Sequence, residues 1–201
     1  AVPVGVAAAI FLTEYTSSSN KFVAVVRMAA ETLAGIPSIV YGIFGMILFV
    51  EMLFKGFSLI AGILTMAIMI LPLVMRTTEE ALRAVPDSFR EGSFALGAGK
   101  LRTIFRVVLP SAMPGIIAGV ILALGRVVGE TAALIYTSGT VKAVPDSLFG
   151  SGETLAIHMY TLSSEGLHVD EAWATAIVLI LLVLVINGAA EFISNKFRKR
   201  Y

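Results

Sequence analysis

Long stretches without charge dominate the pattern of this sequence. Four segments of 19 or 20 residues contain no charged side chain, and they lie between Glu31 and Glu51, Lys55 and Arg76, Arg106 and Arg126, and Glu171 and Glu191. A helix rises about 1.5 Å per residue, so a helix of about 20 apolar residues crosses a hydrocarbon layer of about 30 Å. The pattern therefore predicts four membrane-spanning helices, over residues 33–53, 57–75, 113–136 and 172–194.

The third uncharged stretch contains two prolines, and the apolar run at the beginning of the chain is short. Pro110 and Pro114 fall within the third uncharged stretch. Because proline interrupts a helix, we start that helix near Met113 and continue it to about Tyr136. The apolar run 1–12 is too short to span a bilayer, and it has neither an initiator Met nor a basic flank. We expect it to be the end of a truncated span rather than a signal peptide.

The composition agrees with a chain embedded in lipid. Apolar residues make up 57% of the 201 residues, charged residues only 14%, and the mean hydropathy is +0.90. A helix facing lipid is apolar nearly all round, whereas a helix of a soluble domain keeps one polar face. The sequence therefore predicts an all-α, polytopic transmembrane helical bundle that forms one domain over residues 1–201.

The distribution of Lys and Arg predicts the orientation. If the segment between the second and third spans is cytoplasmic, alternation puts 12 of the 15 basic residues on that side. The opposite side keeps only Lys55 and Lys142, and Arg126 lies within a span. The positive-inside rule then predicts a multi-pass protein of the cell membrane, with loop 76–112 and the C-terminus cytoplasmic and loop 137–170 external.

The loop 76–112 has a detailed helical pattern. Residues 78–85 are predicted as a short helix, and Pro86 suits the first turn of a second helix that Gly97 and Gly99 interrupt. A third helix follows, with an apolar stripe at i, i+3, i+4 and i+7 formed by Leu101, Ile104, Phe105 and Val108. Such an ordered connection predicts a rigid protrusion for a cytoplasmic partner.

This loop resembles a signature of permease subunits in binding-protein-dependent ABC importers, which reads Glu-Ala-Ala, three residues, Gly, nine residues, Ile-x-Leu-Pro. The corresponding residues have the same spacing and are Glu91, Gly92, Ser93, Gly97, Val107, Leu109 and Pro110. Small residues replace the two alanines and valine replaces isoleucine, so we expect the docking geometry to survive. The resemblance implies the permease fold of type I ABC importers and cytoplasmic coupling helices. These would sit in a groove of a separate ATPase subunit.

Five further runs look like PstA-type permeases of the phosphate-specific importers rather than their PstC-type partners. They are FLTEY, ETLAGIPSIVYGIFG, ILPLVMRTTEEALRAVPDSFRE, ALGRVVGETAAL and ETLAIHMYTLSSEGLH. This resemblance covers almost the whole chain and implies one half of a translocation pathway for inorganic phosphate. It also implies three partners: an ATPase subunit of the PstB type, a second permease subunit of the PstC type and an external phosphate-binding protein of the PstS type. ATP and Mg would be used by the ATPase, and we predict neither enzymatic activity nor a bound cofactor for this chain.

Arg126 and Glu130 are the candidate residues of the substrate pathway. On one helix their spacing of four places them on one face, so an ion pair between them is geometrically available. Arginine at the centre of a bilayer costs about 2.5 to 3.5 kcal/mol, so it must face protein or water. Two interpretations stay open. The pair is structural, or Arg126 offers a planar donor fork to a passing phosphate while Glu130 prevents the anion from binding too tightly.

Small residues in the third span predict close contacts between helices. Gly115 and Gly119 form one GxxxG spacing, and Gly125 and Gly129 form a second. Glycine lets two helix backbones approach closely in a membrane, so we predict helix packing at these four positions.

Other functions remain as alternatives. A permease for another oxyanion, such as sulfate or molybdate, is the first, because an arginine does not distinguish one tetrahedral anion from another. A secondary anion transporter is the second, although no repeated half is visible. An intramembrane enzyme would need a nucleophile or metal ligands, and the spans contain no Cys, His or Asp. We predict no metal site and no binding of nucleic acid; the lipid bilayer is the expected surrounding.

Overall fold

The structure is a computed structural model that describes residues 1–16, 20–166 and 168–198. Every regular element within these ranges is helical, which confirms the predicted all-α class. The α-helices are α1 (Val2–Ile10), α2 (Lys21–Ala34), α3 (Ser38–Gly45), α4 (Leu59–Arg83), α5 (Asp87–Ala95), α6 (Lys100–Thr103), α7 (Leu109–Val128), α8 (Ala132–Ile135), α9 (Leu155–Glu165) and α10 (Val169–Arg198). Three π-helical turns, at Phe11–Tyr15, Met46–Leu53 and Ile104–Val108, directly continue α1, α3 and α6.

Three helices in the described part of the chain are long and apolar enough to cross a membrane. They are Leu59–Arg83, the continuous helix Lys100–Val128, and Val169–Phe192 within α10. A fourth crossing is available if α2 and the helix Ser38–Leu53, which are bent by 100° relative to each other, together form one broken span. The helix Val2–Tyr15 is apolar but shorter.

The first predicted span, 33–53, is not one helix. Helix α2 ends at Ala34, and a new helix begins at Ser38. Pro37 explains the break, because its ring disfavours helical backbone angles at Ile36 and it has no N–H to donate. The N–H of Val40 then donates to the Pro37 carbonyl at 3.0 Å, which starts α3.

The bounds of the next two helices also differ from the prediction. Helix α4 continues to Arg83, so the separate helix expected at residues 78–85 is the last part of a longer one. The helix that contains the third predicted span begins at Lys100 rather than near Met113, and it ends at Val128 rather than at Tyr136. Proline does not start this helix, because a wider π turn precedes Pro110 and gives its ring room next to the preceding carbonyls. Leu109 N–H donates to the Ile104 carbonyl across that turn, five residues back.

The chain forms two compact units, each built from separated stretches. The first unit contains Ala1–Ala34, Leu71–Ala123 and the described residues from Gly188 onward. Its core is formed by buried side chains of the first two helices, the end of α4 and the helix that begins at Lys100. These residues are Ala9, Leu12, Val23, Ala30, Met75, Leu82, Val85, Val108, Ala112 and Ile116.

The second unit contains Gly35–Ile70 and Leu124–Asn187. Two clusters form its core. One consists of Tyr41, Met66, Met69, Ala133, Leu134 and Ile157, and the other of Phe49, Val50 and Ala61. The connection that follows α8 folds back onto the start of α4, where Ser58 N–H donates to the Thr137 carbonyl at 3.1 Å and Leu59 N–H to the Gly150 carbonyl at 2.9 Å.

Helix α10 buries few of its own side chains. Only 6% of its most apolar window is buried, although that window has a mean hydropathy of 2.4. In water this exposure would be costly, but a helix surrounded by lipid is expected to be apolar on all faces. The helix starts at Val169, close to the predicted start of the last span at residue 172.

Candidate functional site

Helix α5 and the turn after it form an exposed protrusion in the first unit. None of the side chains of α5 is buried, and Glu91 and Gly92 lie on it. Gly97 has a φ of +82°, which is a left-handed conformation that glycine adopts without steric cost. Leu96, next to this glycine, is 90% exposed, and Phe94 is about half exposed. An apolar tip of this kind on a helix without a buried face fits a surface that contacts another protein.

Hydrogen bonds join α5 firmly to the helix that begins at Lys100. The Gly97 N–H donates to the Phe94 carbonyl at 2.9 Å, and the Ala98 N–H donates to the Ser93 carbonyl at 3.1 Å. The hydroxyls of Ser93 and Thr103 share a hydrogen bond of 2.8 Å. The glycine turn is therefore closed by three bonds, and α5 has a defined direction relative to the following helix.

The apolar stripe predicted for this helix is divided in the structure. Ile104 and Val108 are buried in the core of the first unit, whereas Leu101 and Phe105 are exposed. The π turn Ile104–Val108 explains the difference, because it has more residues per turn than an α-helix and changes which positions share a face. Val107, Leu109 and Pro110 lie in this continuous helix and are half-buried.

Arg90 holds the other end of the protrusion, and it is not among the site residues predicted from the sequence. Its guanidinium forms an ion pair with Glu14 at 2.7 Å and also donates to the carbonyls of Leu82 and Val85 at 2.9 and 2.8 Å. A weaker contact of 3.2 Å reaches Asp87. Arg90 thus links α5 to the end of α4 and to the π turn after α1. Glu14 and Arg90 are 76 residues apart, so no local spacing rule could pair them.

A second ionic group lies in the same unit. Glu79 Oε1 accepts from Arg27 and from Arg83, both at 2.6 Å. The i, i+4 spacing of Glu79 and Arg83 could have predicted their pair, but the contact with Arg27 on α2 could not be read from the sequence. A cavity of about 510 Å³ lies between the two ionic groups, and its lining includes Glu14, Arg27, Arg83 and Arg90.

The four glycines predicted for helix packing have different surroundings. A Cβ at Gly119 would overlap the Thr77 side chain, and a Cβ at Gly115 would lie 2.7 Å from the Ala81 Cβ, so both glycines lie against α4. A Cβ at Gly125 would meet no atom within 4 Å, and one at Gly129 would meet only the Gly125 carbonyl oxygen, at 3.8 Å. The described residues of this chain make no close contact at Gly125 and Gly129, so helix packing there stays a prediction.

Arg126 and Glu130 do not lie on one helical face. Helix α7 ends at Val128, two residues before Glu130, so the i, i+4 geometry of a continuous helix is lost. Glu130 is buried, and its Oε1 accepts a hydrogen bond of 3.1 Å from the Ala133 N–H at the start of α8. Arg126 is exposed. No ion pair joins Arg126 to Glu130 in the described part of the chain, so this structure does not contain the structural pair that their spacing made available.

Helix α8 packs tightly against α3 next to this pair of residues. A Cβ at Gly42 would lie 2.9 Å from the Ala133 Cα, which shows how closely the two backbones approach. Helix α3 follows the break at Pro37, so Arg126 and Glu130 belong to a region where two helices are interrupted. Interrupted helices are common where a membrane protein contacts its substrate, since freed backbone groups need protein or water around them.

The sequence profile of the binding-protein-dependent transport system inner membrane component family matches residues 1–200. The chain belongs to this family. Membership agrees with the apolar helices described above and identifies a multi-pass membrane component of a transport system.

Curated relatives from bacteria have similar sequences. The chain is 38% identical to the probable ABC transporter permease protein YqgI of Bacillus subtilis, over 99% of this chain and 73% of that protein. It is 41% identical to the phosphate transport system permease protein PstA of Mycobacterium leprae, over 94% of this chain, and 39% identical to PstA 1 of Mycobacterium tuberculosis, over 96%. The chain spans 64% of the length of each of these two mycobacterial proteins.

Solved transporters have the same fold. A chain of the inward-facing MetNI methionine ABC transporter superposes with a TM-score of 0.78 and 20% identity, over 97% of this chain and 86% of that one. A chain from a bacterial ABC transporter for alginate gives a TM-score of 0.71 at 15% identity, over 97% of this chain and 72% of that one. These likenesses confirm the helical fold of type I ABC importer permeases.

Proposed function

We propose that this chain is the membrane-spanning permease subunit of an ATP-driven importer of inorganic phosphate. One observation carries the proposal most directly. The helix Lys100–Val128 is unbroken, begins at the glycine turn of the exposed protrusion and contains Arg126 near its other end. An element with this continuity can pass a displacement from a partner subunit toward a charged residue of the substrate path. The family and the phosphate-permease relatives support the same function.

The protrusion is the proposed docking site of a separate ATPase subunit. Glu91, Gly92, Ser93 and Gly97 form its helix and turn, and Leu96 supplies an exposed apolar tip. Val107, Leu109 and Pro110 continue it into the long helix. ATP and Mg are used on the partner in this proposal, and closure of the ATPase moves α5 as a rigid lever.

Two other partners complete the proposed transporter. A second permease subunit forms the other half of the pathway, and an external phosphate-binding protein delivers the substrate to the loop 137–170. This arrangement requires the protrusion and the C-terminus to be cytoplasmic, which the excess of Lys and Arg on that side supports. Lipid surrounds the remaining apolar surface, including that of α10.

Arg126 is the proposed phosphate contact. Its planar guanidinium can donate two parallel hydrogen bonds to a tetrahedral oxyanion, and its exposure in the isolated chain leaves those donors accessible. Glu130 contributes a buried negative charge four residues further along the chain. That charge weakens the local attraction for an anion, so that phosphate passes instead of remaining bound.

The proposal is tested by phosphate uptake into vesicles that contain the complete transporter, with Arg126→Gln compared with the unmodified protein. A charged hydrogen bond contributes about 1.5 to 3 kcal/mol, so we expect uptake to fall about tenfold or more while assembly and ATP hydrolysis persist. Lys55→Gln is the control, since Lys55 is an exposed basic residue outside the loop 137–170. Normal uptake by the Arg126→Gln transporter would remove the assigned role. Uptake that sulfate or molybdate inhibits more strongly than unlabelled phosphate does would favour the alternative substrates.

A further inference from the structure

Helix α5 has no fully buried hydrophobic anchor. None of its nine residues is buried, and Phe89 and Phe94 are each about half exposed, so the hydrophobic effect holds it only weakly against the rest of the first unit. Its position depends mainly on polar contacts. One end is held by the glycine turn and the hydrogen bond between Ser93 and Thr103, and the other end is held by Arg90.

The contacts of Arg90 suit the end of a helix. The last carbonyls of an α-helix have no partner within the helix, and a positive charge near them is favourable. Arg90 donates to the carbonyl of Leu82, in the last turn of α4, and to the carbonyl of Val85, just beyond that helix. Its guanidinium therefore closes the C-terminal end of α4 while the side chain itself belongs to α5.

The contact of Arg90 with Glu14 is shielded from solvent. The side chains of Arg90 and Glu14 are 15% and 8% exposed, and Arg90 approaches the Glu14 carboxylate from two of its nitrogen atoms. Removing one partner of such a pair leaves a desolvated charge without compensation. Lysine could not replace this arginine, because one ammonium group cannot reach a carboxylate and two separate carbonyls in the same planar arrangement.

We propose that Arg90 is a positioning residue for coupling. It makes α5, the end of α4 and the helix Val2–Tyr15 move as one body when a partner displaces α5. Without it, α5 would pivot on the glycine turn, and α4 and the first helix would not follow. This inference rests on the proposed function of the protrusion as the docking site of an ATPase.

The first test measures phosphate uptake per ATP hydrolysed in the complete reconstituted transporter. Arg90→Gln, Arg90→Lys and Glu14→Gln are compared with Arg83→Gln, which removes another arginine of the same unit whose side chain is 53% exposed. Coupling between sites commonly amounts to a factor of about 5 to 150, so we expect a fall of about tenfold for both Arg90 variants and a smaller fall for Glu14→Gln. Arg83→Gln should match the unmodified transporter. An unchanged ratio in Arg90→Lys and Glu14→Gln would overturn the inference, even if Arg90→Gln failed to assemble.

The second test measures the movement directly. The chain contains no cysteine, so spin labels can be placed through Ala7→Cys on α1 and Ser88→Cys on α5, both exposed positions. We expect the same distance between the labels without nucleotide and with ATP, and a distance that changes on ATP binding when Arg90→Gln is added. Labels that separate on ATP binding in the otherwise unmodified protein would also overturn the inference. This distance does not depend on which anion is carried, so absence of phosphate uptake in the unmodified transporter would count against the proposed substrate alone.

Discussion

Arg27 and Glu79 are joined by an ion pair of 2.6 Å that connects α2 to α4, and Arg83 donates to the same carboxylate oxygen of Glu79. The Glu79 side chain is 9% exposed, so the pair is largely desolvated, whereas Arg83 lies at the surface. Together with the pair between Glu14 and Arg90, it fastens the first two helices to the part of the chain that carries the protrusion. We therefore expect loss of the desolvated contact with Arg27 to affect stability more than loss of the surface contact with Arg83.

Replacement of Glu79 by alanine should destabilise the protein by about 2 kcal/mol, because Arg27 would lose its partner while remaining partly buried. The Arg27 side chain is 25% exposed, so water offsets part of the loss. Thermal unfolding in detergent, followed by tryptophan fluorescence, measures the effect. Arg83→Gln is the control, with an expected change of under about 1 kcal/mol. Equal losses of stability for Glu79→Ala and Arg83→Gln would show that the buried ion pair contributes no more than the exposed one.

Gly119→Ala should lower the unfolding temperature, since the new Cβ would overlap the Thr77 side chain. Overpacking of this kind costs about 1 to 3 kcal/mol. Gly125→Ala is a matched change in the same helix, where the Cβ would meet no atom within 4 Å. It should be neutral or stabilising in the isolated chain, because alanine favours helices by about 1 kcal/mol over glycine. If Gly125→Ala impairs assembly with a second permease subunit while the isolated chain stays stable, close packing at that glycine involves the partner.

Leu96→Ser should weaken association with the ATPase subunit without affecting the fold. Leu96 is 90% exposed, so the isolated chain loses little burial when it is replaced. A central apolar contact in an interface contributes about 1 kcal/mol or more, which corresponds to about a fivefold or larger change in the dissociation constant. Binding of purified ATPase to the detergent-solubilised permease measures it. Val144→Ser changes an equally exposed residue, at 91%, outside the protrusion. An unchanged dissociation constant for Leu96→Ser would place the docking surface elsewhere.

Glu130→Gln should leave stability unchanged, whereas Glu130→Ala should cost about 1 kcal/mol. The reason is that the Glu130 side chain accepts from the Ala133 N–H, and a glutamine oxygen can accept the same bond. Unfolding temperatures separate the two variants. Uptake by the Glu130→Gln transporter then isolates the role of charge. We expect slower release of phosphate from the path, which would be visible as a lower maximal rate at saturating phosphate. An uptake rate equal to that of the unmodified transporter would leave Glu130 with a structural role only.

The existence of the helices could be predicted from the sequence because lipid imposes a simple rule on length and polarity. The uncharged stretch from residue 56 to 75 lies almost entirely within α4, and the stretch from 172 to 190 lies within α10. Helix ends were less predictable. Arg76 is charged, but α4 continues past it to Arg83, since a helix does not end where its apolar part ends.

Proline was the least reliable guide to these helices. Pro37 ends one helix and starts another, whereas Pro110 and Pro114 lie inside a continuous one. The difference depends on the backbone around each residue, and in particular on the π turn before Pro110, for which the sequence offers no clear signal.

The signature of the protrusion could be found by spacing because its residues are close together in the chain. The residues that hold the protrusion in place could not be found in this way. Arg90 meets Glu14 only after the first helix has packed beside the end of α4, and Arg27 meets Glu79 in the same way. The i, i+4 spacing also suggested a direct contact between Arg126 and Glu130. That inference assumed one continuous helix, but the helix ends at Val128.

The three π turns have a consequence for insertions and deletions. A π turn accommodates one residue more than an α-helical turn of similar length, and it commonly arises from a single-residue insertion into a helix. Removing one residue within Ile104–Val108 would therefore convert the turn to ordinary α-helix while Ile116 and the residues after it keep their orientation toward the core. The same removal a few residues later, within α7, would rotate everything beyond it by about 100°. Length variation among related chains should accordingly concentrate at these turns.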